Sequence, residues 1–437
     1  MQKISSAAAT AVGLGAIIGA GIFVLSGTAI ALAGPYALLA FVLVGVVILI
    51  VALELGELAT IMPNAKGASY SYVYKAFGSE MGFMTGMMMY FSYATSISVI
   101  ALGFGSYLSN MLGVQSSAYA IPFAMLLIAA VSGINALGIK KAARADLGLV
   151  LIKISILIIF IGFAFSMVMR SGGFNFVNFQ ASPAQLGIAQ IFAASIAIIF
   201  AYSGFQNIAT FTSRVEGGPR SAAKAIMAAV IISIVLYVLV VLALMLMVPA
   251  SSFRIGGDPL AFALNSVHAP GWLLTLTDIG ALIATASASL AMVLGSSRLL
   301  YQISSDGLLP RILRKYDAKS DVAIRGVAIS AVIGGAMLFA GNIYVIAAIS
   351  NFGLLFSYLM RGFAVIHFRR QKTYAEFKVP FYPYLTIIAI VGILAFIAGM
   401  PYEALSFGVV LLLIFLSTYY MLREIEGKKI IRVRLFK

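Results

Sequence analysis

One basic side chain lies inside a long apolar stretch of this sequence, where its charge could do chemistry. Lys153 stands in LGLVLIKISILIIFIGFAFSMV, about 10 Å along a helix from Asp146 at ~1.5 Å per residue. An ammonium group in hydrocarbon costs about 2.5–3.5 kcal/mol, so it needs a partner, water or a route to the interface. Two interpretations stay open: Lys153 reaches the nearer interface along its flexible stem, or it faces the interior of a helix bundle.

Backbone groups are a second source of chemistry, because glycines interrupt the first apolar stretch at residues 8–32. Glycine lowers helix stability by about 1 kcal/mol relative to alanine, which favours a break at Gly19-Ala20-Gly21. A break frees N–H and C=O groups, and a membrane tolerates these only where they line a cavity in the protein. Amides can bind a carboxylate there and carbonyls an ammonium, which suits a small zwitterion. Close helix packing through small residues is the equally open alternative.

A similar small pair, Ser203-Gly204, lies in the middle of the apolar stretch IFAASIAIIFAYSGFQNIATFTSR. Two interrupted helices in corresponding positions of two halves are typical of an inverted repeat with its binding site at the membrane midplane. The residues predicted to bind substrate are Ile18, Gly19, Ala20, Gly21, Phe200, Tyr202, Ser203, Gly204 and Phe205.

The composition requires a membrane for these elements. The chain has 437 residues, of which 62% are hydrophobic and 10% charged, with a mean hydropathy of +1.06, so a water-soluble fold could not bury its apolar surface. Runs of membrane-spanning length predict twelve helices. They cover residues 8–32, 36–59, 81–111, 117–138, 147–169, 187–212, 222–249, 271–300, 323–340, 343–366, 382–399 and 402–422.

The predicted fold is an all-α polytopic membrane protein with one transmembrane domain over residues 1–437. It comprises a five-helix repeat at 8–169, a second, inverted five-helix repeat at 187–366, and two additional helices at 382–422. A basic tail follows at 423–437. The first and sixth helices are the broken ones.

The basic residues predict the orientation. The segments on the side of the N-terminus hold 26 of the 29 basic residues, which follows the positive-inside rule and places both termini in the cytoplasm. The net charge of +15 then faces anionic inner-leaflet lipid rather than nucleic acid. A cell-membrane protein, monomeric or homodimeric, is expected.

The sequence argues against most other classes of function. It has no cysteine, and its two histidines lie near span ends, so no metal site, cofactor or nucleophile–histidine arrangement is expected. A sensing receptor would need a signalling domain, which the sequence does not offer, and a channel remains a rival. No titratable side chain besides Lys153 is expected at mid-bundle depth.

Several motifs resemble those of amino acid permeases in the amino acid–polyamine–organocation (APC) superfamily. The family usually has Gly-Ser-Gly where this chain has Gly19-Ala20-Gly21, and an acid where it has Gln206. The matching positions are GAIIGAGIF in the first span, Glu57-Leu58, Pro63, Gly67, Tyr72, Tyr74, Phe77 and Gly78 in the first inner loop, Phe200, Ser203, Gly204 and Phe205, Arg298-Leu299-Leu300-Tyr301, and Asp306-Gly307-Leu308-Leu309-Pro310.

The resemblance implies secondary active transport of amino acids. It also implies that Phe200 covers the bound ligand, since an aromatic at this point of the sixth span closes the outer path in relatives; packing against neighbouring helices is the alternative. Some proton-coupled members have a lysine at the position of Lys153, where relatives can hold sodium between the first, fifth and eighth spans. Lys153, Ser287 and the Gly19 carbonyl are therefore expected to couple transport to protons, with Ser287 chosen by alignment with the family. A sodium-independent exchanger and a polyamine or organocation carrier of the same fold are the alternatives.

Overall fold

The computed structural model describes residues 4–65, 67, 69–114, 119–137, 142–170, 173, 175–317 and 322–435, with the backbone alone described at 142–147, 210, 211 and 425–435. Six basic residues of the predicted orientation pattern lie outside this description: Lys3, Lys66, Lys140, Lys141, Lys319 and Lys437.

The described chain is helical throughout its apolar stretches. The helices are α1 Ser6–Ile17, α2 Ala20–Ala33, α3 Ala37–Ile61, α4 Ser69–Phe77, α5 Ser79–Met111, α6 Ala120–Leu137, α7 Ala142–Arg170, α8 Ile188–Ala201, α9 Gly218–Met247, α10 Pro259–Ser266, α11 Gly271–Ser305, α12 Ile324–Met337, α13 Ile343–Arg370, α14 Tyr384–Ala398 and α15 Tyr402–Leu435. The described residues also include six 3₁₀ segments, of which Phe205–Arg214 comes soon after α8.

Within the described residues, nine helical segments are long and apolar enough to cross a membrane. One of them, Ala20–Ile61, contains both α2 and α3, which meet at a 3₁₀ turn beginning at Gly34. Three shorter apolar helices are α1, α12 and α14. The structure is thus a polytopic helical protein, and the two predicted spans at 8–32 and 36–59 are divided differently from the expectation.

Helices α5 and α13 form the centre of the bundle. In each of them, 83% of the most apolar 18-residue stretch is buried inside the protein, whereas only 17% of the corresponding stretch of α15 is buried. Helix α5 packs on α11 and α13, α3 packs on α9, and α2 packs on α8. Exposed leucines and valines on α3 and α15 present an apolar outer surface of the kind that lipid covers.

Candidate functional site

The first interrupted helix breaks between α1 and α2. Ile18 adopts φ −74° and ψ 59°, and the Gly19 N–H donates to the Ile17 carbonyl oxygen at 2.7 Å. These values describe an inverse γ-turn, which ends the regular helix after Ile17. The break therefore lies slightly earlier than expected, because Ala20 and Gly21 already belong to the first turn of α2. Their N–H groups are among the four that a helix N-terminus leaves without intrahelical acceptors.

The second break follows α8. The chain turns at Tyr202 and Ser203, and Gly204 takes φ +115°, a left-handed conformation that favours glycine. The 3₁₀ segment Phe205–Arg214 then replaces a regular helix. Ser203-Gly204 is thus the point at which this helix is interrupted.

The two breaks contact each other. A Cβ atom on Gly204 would lie 2.4 Å from the Ala16 carbonyl oxygen, and one on Gly21 would lie 2.3 Å from Cα of Ala201. No side chain fits at either position. Close packing through small residues, one of the two interpretations of the sequence, therefore holds at Gly21 and Gly204 whatever the breaks bind.

Tyr237 of α9 connects the ends of both broken helices. Its hydroxyl lies 2.7 Å from the Ile17 carbonyl oxygen and 3.1 Å from the Ala201 carbonyl oxygen, and its side chain is fully buried. A hydroxyl group can donate to either of these terminal carbonyls. Sequence reasoning missed Tyr237, since its 220-residue separation from Ile17 leaves no local signal.

The predicted binding side chains of the second break point in different directions. The Tyr202 hydroxyl donates to the Phe41 carbonyl oxygen on α3 at 3.2 Å. The Ser203 hydroxyl donates to the Phe200 carbonyl oxygen at 2.8 Å. Phe200 is 4% exposed, and Ile18, Gly19, Ala20, Gly21, Gly204 and Phe205 are buried as well. Ser203 differs in being partly exposed.

Gln206 connects the 3₁₀ segment that follows the second break to α5 and α13. Its Nε2 donates to the Tyr93 hydroxyl of α5 at 3.2 Å, and its Oε1 accepts from the Tyr358 hydroxyl of α13 at 3.4 Å. A neutral amide can be donor and acceptor at once, which a carboxylate cannot. Two tyrosines thus provide hydrogen-bond partners for the glutamine that replaces the acid usual in the family.

Lys153 lies in the interior of the bundle, with 1% of its surface exposed. Its neighbours on the same face of α7 identify the packing partners: a Cβ on Gly15 of α1 would lie 2.1 Å from Val150, and one on Gly280 of α11 would lie 2.5 Å from Ile156. Lys153 is one turn from each of these contacts. It therefore lies where α1, α7 and α11 meet, and not at an exposed interface.

Ser287 precedes the α11 residue that packs on the first break, and successive residues of a helix face about 100° apart. Its neighbour Ala288 has its Cβ 3.3 Å from the position a Cβ on Gly19 would take. The Ser287 hydroxyl donates to the Ala284 carbonyl oxygen at 3.1 Å, which leaves its oxygen free to accept a further hydrogen bond. The three residues assigned to proton coupling thus lie on the three elements α7, α11 and the α1–α2 break.

Further charged side chains are buried in the bundle, so the prediction that Lys153 is alone at depth is wrong. Glu54 of α3 and Arg361 of α13 are both 0% exposed. The positive-inside count grouped Arg361 with the basic residues of an inner loop, whereas α13 continues nine residues beyond it to Arg370. The signal in the sequence is that Arg361 precedes Arg369 by eight residues, about two helical turns.

The motifs of the first inner loop meet distant parts of the chain. The Glu57 Oε2 atom accepts hydrogen bonds from Arg369 Nη2 at 2.8 Å and from the Val379 N–H at 2.7 Å. The Tyr70 hydroxyl donates to Asp306 at 2.7 Å. Burial of the Tyr70 side chain, and to a lesser extent this hydrogen bond, raises the pKa of Tyr70 above its usual range. Both residues line a surface cavity of about 590 Å³ that also includes Lys75.

These observations define the class of protein: a polytopic helical membrane protein whose two interrupted helices meet in the interior beside a buried lysine. Nothing in the geometry points to catalysis, and in the described ranges no group of three histidine or acidic side chains could hold a metal ion. The chain belongs to the amino acid permease family of the APC superfamily, which it matches over residues 9–423. This is a family of transporters, which are not enzymes.

Individual relatives carry different cargoes. The chain is 27% identical to the methylthioribose transporter of Bacillus subtilis, over 92% of this chain and 88% of that protein. It is 26% identical to the branched-chain amino acid permease BcaP of the same organism, over 96% and 92%. It is 29% identical to BcaP of Lactococcus lactis, over 96% and 94%.

Proposed function

We propose that this protein is a secondary active transporter of amino acids, driven by protons that Lys153 binds and releases. The burial of Lys153 on the face of α7 that packs against α1 and α11 is the observation that carries this proposal. A charged amine in this position can donate to the Gly19 carbonyl and to the Ser287 hydroxyl. It supplies the positive charge that a bound sodium ion would otherwise supply.

The proposed substrate site consists of the backbone at the two breaks. The N-terminal amides of α2 offer donors for a carboxylate, and helix-end carbonyls offer acceptors for an ammonium. Gln206 and the apolar residues Ile18, Phe200 and Phe205 favour a neutral amino acid, because they provide no charge for a cationic side chain. Two of the relatives are named for branched-chain amino acids, which agrees with this choice.

Uptake into proteoliposomes tests the proposal. Twenty radiolabelled amino acids are offered with and without an inward proton gradient, and with sodium or potassium outside. We expect sodium-independent, saturable uptake that the proton gradient stimulates. Strict sodium dependence would overturn the mechanism, and exchange that ignores the proton gradient would favour the exchanger.

Lys153→Ala isolates the coupling step. The variant is expected to lose concentrative uptake while substrate binding survives in part, since the breaks remain intact. Lys75→Ala is the matched control, because Lys75 is exposed on α4. A Lys153→Ala transporter that still concentrates substrate on a proton gradient alone would disprove the assigned role.

We further propose that the twelve predicted spans all cross the cell membrane with both termini in the cytoplasm, facing anionic lipid, in a monomer or homodimer. The chain contains no cysteine, so a single introduced cysteine reports its own side of the membrane. Ser252→Cys should react with an impermeant reagent from outside, and Arg311→Cys only after permeabilisation. The opposite pattern would reverse the orientation.

A further inference from the structure

Glu54 and Arg361 are two buried charges that no hydrogen bond joins. Neither the carboxylate oxygens of Glu54 nor the guanidinium nitrogens of Arg361 make a hydrogen bond of regular geometry among the described residues, although Thr386 lies near the carboxylate and the Tyr358 hydroxyl near the guanidinium. The two side chains are nevertheless neighbours, because Oε1 of Glu54 lies 3.5 Å from the position of a Cβ on Gly362, the residue after Arg361. The arrangement is a pair of opposite charges with unmet hydrogen-bonding capacity on each side.

The pair lies next to the proposed substrate site. Cζ of Arg361 is 5.7 Å from the ring centre of Phe205 and 4.2 Å from that of Tyr358. Along α3 and α13 it is displaced from the breaks toward the Glu57–Arg369 end, which is the cytoplasmic end in the proposed orientation. The Phe205 ring, which directly follows the second break in the chain, thus lies against the Arg361 guanidinium on the cytoplasmic side of the breaks in the proposed orientation.

Among the described residues around the pair, no other charged side chain is available to bind Arg361 or Glu54 in place of a ligand. A guanidinium keeps its proton even when buried, so Arg361 is a permanent positive charge. Glu57, one turn from Glu54 on α3, is already bound by Arg369. The remaining titratable groups that face Arg361 are the hydroxyls of Tyr72 on α4, Tyr93 on α5 and Tyr358 on α13.

We propose that Glu54 and Arg361 form a second binding site for the amino acid on its way to the cytoplasm. The substrate carboxylate binds the Arg361 guanidinium, and the substrate ammonium binds the Glu54 carboxylate. The inference rests on the proposed transport of amino acids and adds a release-side site to it. It requires no covalent step and no further proton.

A zwitterion fits this pair better than a single ion does. Guanidinium and carboxylate match in geometry and can form two parallel hydrogen bonds. An inorganic anion would use Arg361 and leave the buried Glu54 charge without a donor, and a cation would leave Arg361 without an acceptor. An α-amino acid supplies both groups in one molecule.

Sided transport kinetics test the second site. Reconstituted protein of known orientation is assayed for exchange, with the KM for the transported amino acid measured from each face. Arg361→Gln should raise the cytoplasmic-side KM roughly 10- to 100-fold, the loss expected for a charge-assisted contact, and leave the outer-side KM within about twofold. Arg370→Gln is the matched control, because Arg370 is exposed on the same helix.

The double variant Glu54→Gln/Arg361→Gln separates binding from structure, since it removes both buried charges together. We expect it to fold with the cytoplasmic-side KM still raised. A wild-type KM in the double variant would overturn the proposal and make the pair structural. Arg361→Lys keeps the charge without the planar fork, so it should raise the same KM less than Arg361→Gln does; no change at all would also overturn the site.

Uptake by the wild-type protein distinguishes the proposed function from the second binding site. If the wild-type protein transports none of the twenty amino acids, the proposed function is wrong. If the wild type transports and the variants change both faces equally, only the second site is wrong.

Discussion

The hydroxyl of Tyr237 lies 2.7 Å from the carbonyl oxygen of Ile17, the last residue of the first half-helix. The same hydroxyl is 3.1 Å from the carbonyl oxygen that ends α8. Two breaks far apart in the sequence thus share one hydrogen-bond donor from α9.

Removing this donor should weaken the fold measurably. Tyr237→Phe leaves buried terminal carbonyls without their partner and should lower stability by about 1–3 kcal/mol. The measurement is thermal unfolding in detergent. Tyr202→Phe serves as the control, since its hydroxyl binds a carbonyl within α3, where Phe41 already has a helical partner. Equal losses in the two variants would contradict the special role of Tyr237.

Gly19 and Gly21 should respond differently to alanine. A methyl group on Gly21 meets the α8 backbone, so Gly21→Ala should cost about 1–3 kcal/mol of stability and much of the folded yield. The nearest contact at Gly19 is the Ala288 side chain at 3.3 Å, so Gly19→Ala should fold better and show a raised KM. An unchanged KM for Gly19→Ala would argue against backbone binding at the first break.

Phe200→Ala asks whether this ring covers the ligand. As a lid, Phe200 should affect substrate affinity far more than the unfolding temperature of the ligand-free protein. As a packing residue it should cost about 3–5 kcal/mol of stability instead. Phe41→Ala is the comparison, because the Phe41 ring packs against those of Tyr202 and Tyr237. If Phe200→Ala behaves like Phe41→Ala, the lid is excluded.

The contact between Glu57 and Arg369 should be a stabilising one. Glu57→Gln weakens three charge-assisted hydrogen bonds, two from Arg369 and one from the Val379 N–H, and should cost about 1.5–3 kcal/mol. Unfolding temperatures of this variant and of Glu403→Gln, whose carboxylate is exposed, provide the measurement. A smaller loss at Glu57 than at Glu403 would show that the contact contributes nothing.

Local signals predicted part of this structure. Glycine composition located both helix interruptions to within two residues, because helix propensity is a property of neighbouring positions. The sequence left Lys153 either at the nearer interface or in the bundle interior, and the burial of its side chain favours the interior. The exact turn at Ile18 did not follow, because the hydrogen bond from Tyr237 to Ile17 depends on a tertiary contact.

The largest error in the prediction from sequence was the assignment of Arg361 to an inner loop, which came from counting basic residues. The positive-inside rule assigns basic residues to loops from their distance to span ends, and Arg361 lies near such an end in the sequence. Helix α13 extends further than its apolar run, because Arg369 is held by Glu57 and Tyr382. Arg361 lies about two turns before Arg369 in this helix and is buried in the bundle beside Glu54, where hydropathy alone would not place a guanidinium.

Gln206 gives this protein an interior contact that does not depend on the pH of its surroundings. Its hydrogen bonds to Tyr93 and Tyr358 join α5 and α13 to the segment after α8, and neither the amide nor the bonds depend on a proton that leaves near neutral pH. A glutamate in the same place would bind these tyrosines differently in acidic and in neutral surroundings. The interior contact made by Gln206 is therefore equally strong in acidic and in neutral surroundings. Acidification of the medium would leave its hydrogen bonds to Tyr93 and Tyr358 in place.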